Sequence, residues 1–351
     1  MKTSKIESEK LLRYVNKFLY EYAPSVKTES KCTLKNYGIS LDLYLLWLED
    51  VKGVSDITVS TECFEAKMIE EWIAWLKTER DNTNDTCNVR LGSLRTFIRY
   101  LSKQDPKYRY LYADSKLVCR QKKTKNKEEA MTRQAVETLF ETPNTKTISG
   151  RRYALMMVLF YSTGVRIDEL LSLTIGKINL TSENPHIKVI GKGNKPRTLT
   201  LLSEPARLMQ AYINLVFGTS PDPAAYVFFT NHKGSYQKMS QNAVRNQLKR
   251  YAATAHEHCP DVPLDLHPHL FRRSKATHML EDGASILQIS EFLGHENIST
   301  TMHYLNISLQ QKDQAMQTLE SEEQKQETKK WHAQKPTLRD IAGTKAVLKR
   351  C

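Results

Sequence analysis

The chain has no apolar stretch approaching the roughly 20 residues needed to span a bilayer, so a membrane span is not expected. Its first residues, Met-Lys-Thr-Ser-Lys-Ile-Glu, lack the apolar segment of a secretory signal. Its six cysteines (32, 63, 87, 119, 259 and 351) are scattered and include no Cys-x-x-Cys pair. That spacing suits reduced thiols rather than a disulfide framework. Internal repeats and low-complexity blocks are also missing. These absences predict a soluble, cytoplasmic protein, nucleoid-associated if bacterial. Acid is in short supply too: 52 Lys and Arg face 39 Asp and Glu, a net charge of +13. That balance favours nucleic acid or an acidic surface as partner. At 351 residues the chain is long enough for two cores.

Helical spacing of apolar residues predicts four helices in the first hundred residues: 5–22, from about 33 to 48, 62–79 and 84–101. Together they make a small all-α domain over 5–105, with its Trp and Tyr residues in the core. Lys35, Arg90, Arg95 and Arg99 are its candidates for phosphate contact. Residues 106–130 are strongly basic, include Lys122, Lys123 and Lys125, and lack apolar periodicity, so they read as a linker. A basic linker can lie along a phosphate backbone and add salt-dependent affinity. From 131 to 312 the pattern predicts further helices around one β-hairpin, with strands at 187–190 and 197–202 flanking the turn Gly-Lys-Gly-Asn. Residues 313–351 form a polar tail with a short helix near 337–349.

Three motifs follow one another in the second half. Arg166 and Glu169 lie in Ser-Thr-Gly-Val-Arg-Ile-Asp-Glu-Leu (162–170). His269 and Arg272, three apart and so on one helix face, lie in His-Pro-His-Leu-Phe-Arg-Arg (267–273). Leu-Gly-His (293–295) precedes Tyr304 by nine residues counted from His295. Guanidinium forks match phosphate oxygens and stay charged at cellular pH, and a tyrosine can hold a covalent intermediate. Breaking a phosphodiester without a metal needs a nucleophile, charge stabilisation and proton transfer, and these residue types supply all three. A second constellation, His256, His258, Cys259, His267 and His269, could in principle ligate zinc. Its spacing is not a common finger pattern, and neither metal nor cofactor is expected.

The motifs resemble those of the tyrosine recombinase (phage integrase) family. The resemblance implies a mainly α fold with a small β-sheet: a two-domain clamp, with an all-α core-binding domain and an α+β catalytic domain. It implies cleavage and rejoining of double-stranded DNA through a 3′-phosphotyrosine at Tyr304 and a Holliday junction. Arg166, Arg272, His269 and His295 would hold the phosphate. Lys192, at the hairpin tip, would protonate the departing 5′ oxygen, with Lys195 as runner-up. Glu169 would brace the site. Arg273, which projects away from the His269–Arg272 face, is expected to meet the DNA backbone or an acidic neighbour. Four protomers on DNA, monomers or dimers off it, and accessory proteins follow from the same resemblance. The tail over 313–351 is expected to pack on a neighbouring protomer. The run Arg-Arg-Ser-Lys-Ala-Thr-His (272–278) and that tail tilt the expectation towards integration, excision or transposition of a mobile element. The alternatives are housekeeping Xer-like chromosome-dimer resolution, a type IB topoisomerase and a catalytically silent DNA-binding regulator. An RNA-binding role is disfavoured because the aromatics read as core rather than as a stacking platform.

Overall fold

The computed structural model describes residues 2–122, 129–191, 195–232 and 234–294. The chain divides into two units, Met1–Lys127 and Glu128–Cys351.

The first unit is all-α. Helix α1 (Lys2–Lys17) widens into a π-helical segment, Phe18–Lys27, which carries Pro24. Helices α2 (Lys31–Asp50), α3 (Ala66–Thr78) and α4 (Asn84–Gln104) follow. Ser30 and Thr83 cap α2 and α4, each hydroxyl accepting from the backbone N–H three residues on. The core is aromatic. Trp72 is fully buried and meets Tyr44 edge to face, with ring centroids 4.8 Å apart. Tyr44 in turn donates its hydroxyl hydrogen to the Cys63 carbonyl, so the buried phenol is not left unsatisfied.

The expected linker begins with ordered structure. A 3₁₀ turn, Pro106–Tyr108, leads into helix α5 (Arg109–Ser115), and Tyr108, Leu111 and Val118 are buried in the first unit's core. Three apolar residues, too few to show a period among so many lysines and arginines, hold this segment down.

The second unit begins with α6 (Arg133–Glu141) and α7 (Ile148–Thr163). Gly164 ends α7 in the left-handed region at φ +59°, and α8 (Ile167–Leu171) starts three residues later. Strands β1 (Ile178–Asn179), β2 (His186–Ile190) and β3 (Pro196–Thr200) form an antiparallel sheet in that order. Helix α9 (Ser203–Phe217) follows, then a second hairpin of β4 (Phe229–His232) and β5 (Ser235–Lys238) that periodicity did not predict. Helices α10 (Gln241–His256), α11 (Pro268–Glu281) and α12 (Ile286–Leu293) complete the described residues. Residues 295–312 of the expected catalytic domain and the tail at 313–351 lie outside them.

Helix α11 is tied to α7 at two points, two turns apart. Phe271 stacks on Phe160 of α7, with centroids 6.3 Å apart. Two turns on, buried His278 accepts at Nδ1 from the Tyr161 hydroxyl of α7 at 2.7 Å and donates from Nε2 to the Met131 carbonyl at 2.9 Å. That pairing requires the neutral ring, and burial lowers the His278 pKa in agreement. The Met131 N–H donates to Ser274 Oγ at 2.9 Å, so the start of the unit is stitched along α11.

Trp72→Ala should destabilise the first unit by about 3–5 kcal/mol, the usual cost of emptying a buried indole site. Urea unfolding of the parent and the variant measures it. A loss under about 1 kcal/mol would show that the aromatic core repacks.

Candidate active site

The site is organised around one buried carboxylate. Glu169 has a side-chain exposure of only 4%. It faces the start of its own helix, where its Oε2 accepts the Arg166 backbone N–H at 2.9 Å. This is half of a capping box and satisfies one of the helix's unpaired donors. Its Oε1 accepts from Arg166 Nη1 at 3.0 Å. The second cation comes from the sheet: Arg197 Nη2 donates to Glu169 Oε2 at 2.7 Å. Burial pushes the Glu169 pKa up, but the Arg166 backbone N–H and the Arg197 and Arg166 guanidiniums outweigh it, leaving the carboxyl below its ordinary 4.5.

Arg197 carries the network further. Its Nη1 donates to the Leu293 carbonyl at 2.9 Å, at the C-terminal end of α12. Arg272 Nη2 donates to that same oxygen at 2.6 Å, and Arg272 Nη1 donates to the Gly164 carbonyl. Arg272 is fully buried. Two glycines allow these approaches. A Cβ on Gly164 would lie 3.0 Å from Leu293 Cδ2. One on Gly294, at φ +63°, would lie 2.7 Å from Arg197 Nη1.

Arg166, Glu169, Gly191, Gln241, Arg245 and His269 are among the residues lining a cavity of about 670 Å³. His269 is exposed in the first turn of α11, three residues before Arg272. The base of the β2–β3 hairpin reaches the same place. Gly191 donates its N–H to the Lys195 carbonyl at 2.8 Å, and a Cβ on Gly191 would meet Glu169 Oε1 at 3.4 Å. The structure therefore brings Arg166, Glu169, His269 and Arg272 to one region. Lys192, His295 and Tyr304 lie outside the described residues.

Sequence reading missed Arg197. The signal was the strand's period of two. Arg197 pairs with buried Val189 and shares a face with buried Leu199, and an arginine on a core face requires a buried counter-charge.

The other expected contacts divide. Lys35, Arg99 and Lys122 are exposed, and Arg273 is half-buried. Arg90 is half-buried, donates to Ser40 Oγ at 3.3 Å, and has its pKa lowered by burial. Arg95, expected to meet phosphate, is half-buried and braces its own unit, donating from Nε to the Ser115 carbonyl at 2.9 Å and from Nη2 to the Val118 carbonyl. Lys123 and Lys125 lie outside the described residues. Among the described residues no three His, Cys, Asp or Glu side chains group in a way that could hold a metal ion. Of the weighed zinc set, His256 Nδ1 is taken up by the Val262 carbonyl at 2.7 Å. No helix among the described residues is long and apolar enough to cross a membrane.

Residues 129–311, just over half of the chain, match the phage integrase family. A tyrosine recombinase XerC from Chlamydia caviae is 25% identical over 308 residues, covering 84% of this chain and 94% of that relative. The solved structure of a XerH site-specific recombinase bound to a palindromic difH substrate superposes with a TM-score of 0.67 at 18% identity, covering 90% of this chain and 98% of the other. A Tn1549 transposon integrase in complex with transposon right end DNA gives 0.65 at 17%, covering 88% and 99%. Both structural likenesses bear on the fold: mostly helical, in two domains, with small antiparallel sheets.

The Glu169 arrangement predicts a pH dependence. Because its folded pKa is depressed, its contribution to stability is present above the ordinary carboxylate value and is lost as pH falls through the lowered one. Glu169→Gln should therefore be less stable than the parent near neutral pH, with the gap narrowing once pH falls below the ordinary carboxylate value and closing as it passes the lowered one. Urea unfolding at a series of pH values tests this; a gap that is constant with pH would contradict it.

Proposed function

The chain belongs to the phage integrase family, and on that premise we propose that it is a site-specific recombinase that moves a mobile element into or out of DNA. That it is a tyrosine recombinase, an enzyme that breaks and rejoins DNA strands, follows from the family and its Xer relatives. Its residue roles, target and assembly are the proposal.

The observation that carries the roles is the charge balance of the site. Among the described residues, the hydrogen-bonded set around Glu169 and the Leu293 carbonyl holds three guanidiniums, Arg166, Arg197 and Arg272, against the Glu169 carboxylate, an excess of two positive charges within that set. A phosphodiester carries one negative charge and the phosphorane formed from it carries two. Cations fixed in advance stabilise charge that develops in the transition state without having to reorganise.

In the proposed reaction Tyr304 attacks the scissile phosphorus of double-stranded DNA. The phenolic oxygen forms a 3′-phosphotyrosine as the bond to the 5′ oxygen breaks. Arg166 and Arg272 hold the non-bridging oxygens, and His269 and His295 bond the same phosphate and exchange the tyrosine proton. Lys192 gives its proton to the leaving 5′ oxygen. A 5′-hydroxyl from a partner duplex then attacks the phosphotyrosine and reverses the chemistry. The ester keeps the bond energy throughout, so the cycle balances without ATP. Exposed Lys35, Arg99 and Lys122 would contact phosphates outside the active site. Four protomers would act on two duplexes through a Holliday junction, with the segment 313–351 packing on a neighbour.

The mobile-element role is supported by that polar segment, all of which lies beyond the family match ending at 311. The second reading, Xer-like chromosome-dimer resolution, is favoured by the relatives' own names. The DNA that traps the enzyme separates them: element–flank junctions for the first, a single chromosomal site for the second.

Covalent trapping on nicked duplexes is the decisive experiment. The parent should form an adduct that survives a denaturing gel, Tyr304→Phe should form none, and Lys192→Ala should slow cleavage by about 100-fold. An adduct that persists in Tyr304→Phe would remove the proposed nucleophile. Relaxation of plasmid lacking any specific site would point to a topoisomerase. Tight binding without an adduct on any of these DNAs would favour a silent regulator.

A further inference from the structure

Arg197 lies outside the set of residues assigned above to the phosphate, yet it touches both halves of the site. One arm of its guanidinium reaches Glu169 Oε2 at 2.7 Å, and the other reaches the Leu293 carbonyl at 2.9 Å. Each contact is shared with a phosphate-holding arginine. Glu169 also takes Arg166, and the Leu293 carbonyl also takes Arg272 at 2.6 Å. Arg197 itself is not among the residues that line the cavity. Its side chain is only 18% exposed, and its strand position puts it on the same face as buried Leu199.

We infer that Arg197 is a positioning residue for cleavage: a cross-brace that fixes the spacing between the Arg166 and Arg272 guanidiniums through Glu169 on one side and the Leu293 carbonyl on the other. The inference rests on the reading of Arg166 and Arg272 as the phosphate clamp. Three features of the brace support a role beyond filling space. It joins elements far apart in sequence, β3 to α8 and to the end of α12. It places a third positive charge behind the clamp, which adds to the field at the phosphate without contacting it. It also presses on the Gly294 turn, where a Cβ would come within 2.7 Å of its Nη1, so the Gly294 backbone lies directly against it. A bidentate fork suits this task. Lysine offers a point charge and cannot span both acceptors in the same fixed geometry.

The test compares the parent, Arg197→Lys and Arg197→Ala in single-turnover cleavage, at saturating concentrations of the nicked duplex that traps the parent. Two versions of that duplex are used, one with the natural scissile phosphate and one with a methylphosphonate there. In the methylphosphonate a methyl group replaces a non-bridging oxygen, so the transition state carries one negative charge fewer and depends less on well-placed arginines. On the phosphodiester, Arg197→Ala should cleave about 100-fold slower than the parent, with Arg197→Lys between the two. Its duplex affinity should stay within about threefold, because phosphate contacts elsewhere dominate binding. On the methylphosphonate the Arg197→Ala defect should shrink to about tenfold or less. Equal defects on the two duplexes would reduce Arg197 to a packing residue and overturn the inference, as would parental rates in Arg197→Ala. Circular dichroism checks the folded fraction, and Arg197→Lys, which retains the charge, serves if the alanine variant unfolds. Failure of the underlying reading is distinct. In that case the parent forms no adduct, or Tyr304→Phe still forms one, and the inference falls with it.

Discussion

A buried carboxylate is costly unless it is paired and hydrogen-bonded, and Glu169 is both. It is the one acid in a set of arginines, and each bond it accepts comes from a position the site needs. The Arg166 backbone amide fixes the start of α8, the Arg166 side chain is turned back over the same turn, and Arg197 draws in the sheet. Through Arg197 and the Leu293 carbonyl the same set reaches Arg272. The phosphate site proposed here must hold cations together before the anion arrives. One acid among three bases does this while leaving a surplus of positive charge.

The scaffold around the set is built to resist that repulsion. Helix α11 carries Arg272 between an aromatic stack on α7 and a hydrogen-bonded seam through His278, Tyr161 and Met131. Gly164 brings the end of α7 close enough for its carbonyl to take an Arg272 donor. Position and charge are thus fixed by backbone carbonyls and one carboxylate rather than by flexible surface pairs, which are worth little and screened by salt.

Much of this was legible in the sequence. Arg166, Glu169, His269 and Arg272 were picked out by the motifs that resemble the family's, with the three-residue spacing of His269 and Arg272 placing those two on one helix face. The β2–β3 hairpin was legible from alternation around a glycine-rich turn. Arg197 was not, because a charged residue in a strand reads as solvent-facing unless the parity of its neighbours is followed. Helix α5 was hidden because lysines and arginines outnumber the few apolar residues that bury it. The two carbonyl contacts of Arg95 were hidden for a related reason: a basic residue on a helix looks the same in sequence whether its donors meet solvent or the carbonyls of the next segment.

The Leu293 oxygen that serves two guanidiniums is a main-chain atom. No side-chain replacement at position 293 can delete it, so the acceptor shared by Arg197 and Arg272 is shielded from most point changes there. What it cannot survive is a change in chain length. One residue inserted or removed within α12 would swing the carbonyl about 100° around the helix axis and detach both arginines at once. The eight-residue helix Ile286–Leu293 therefore acts as a ruler, whose length matters to the site more than the identity of its last side chain.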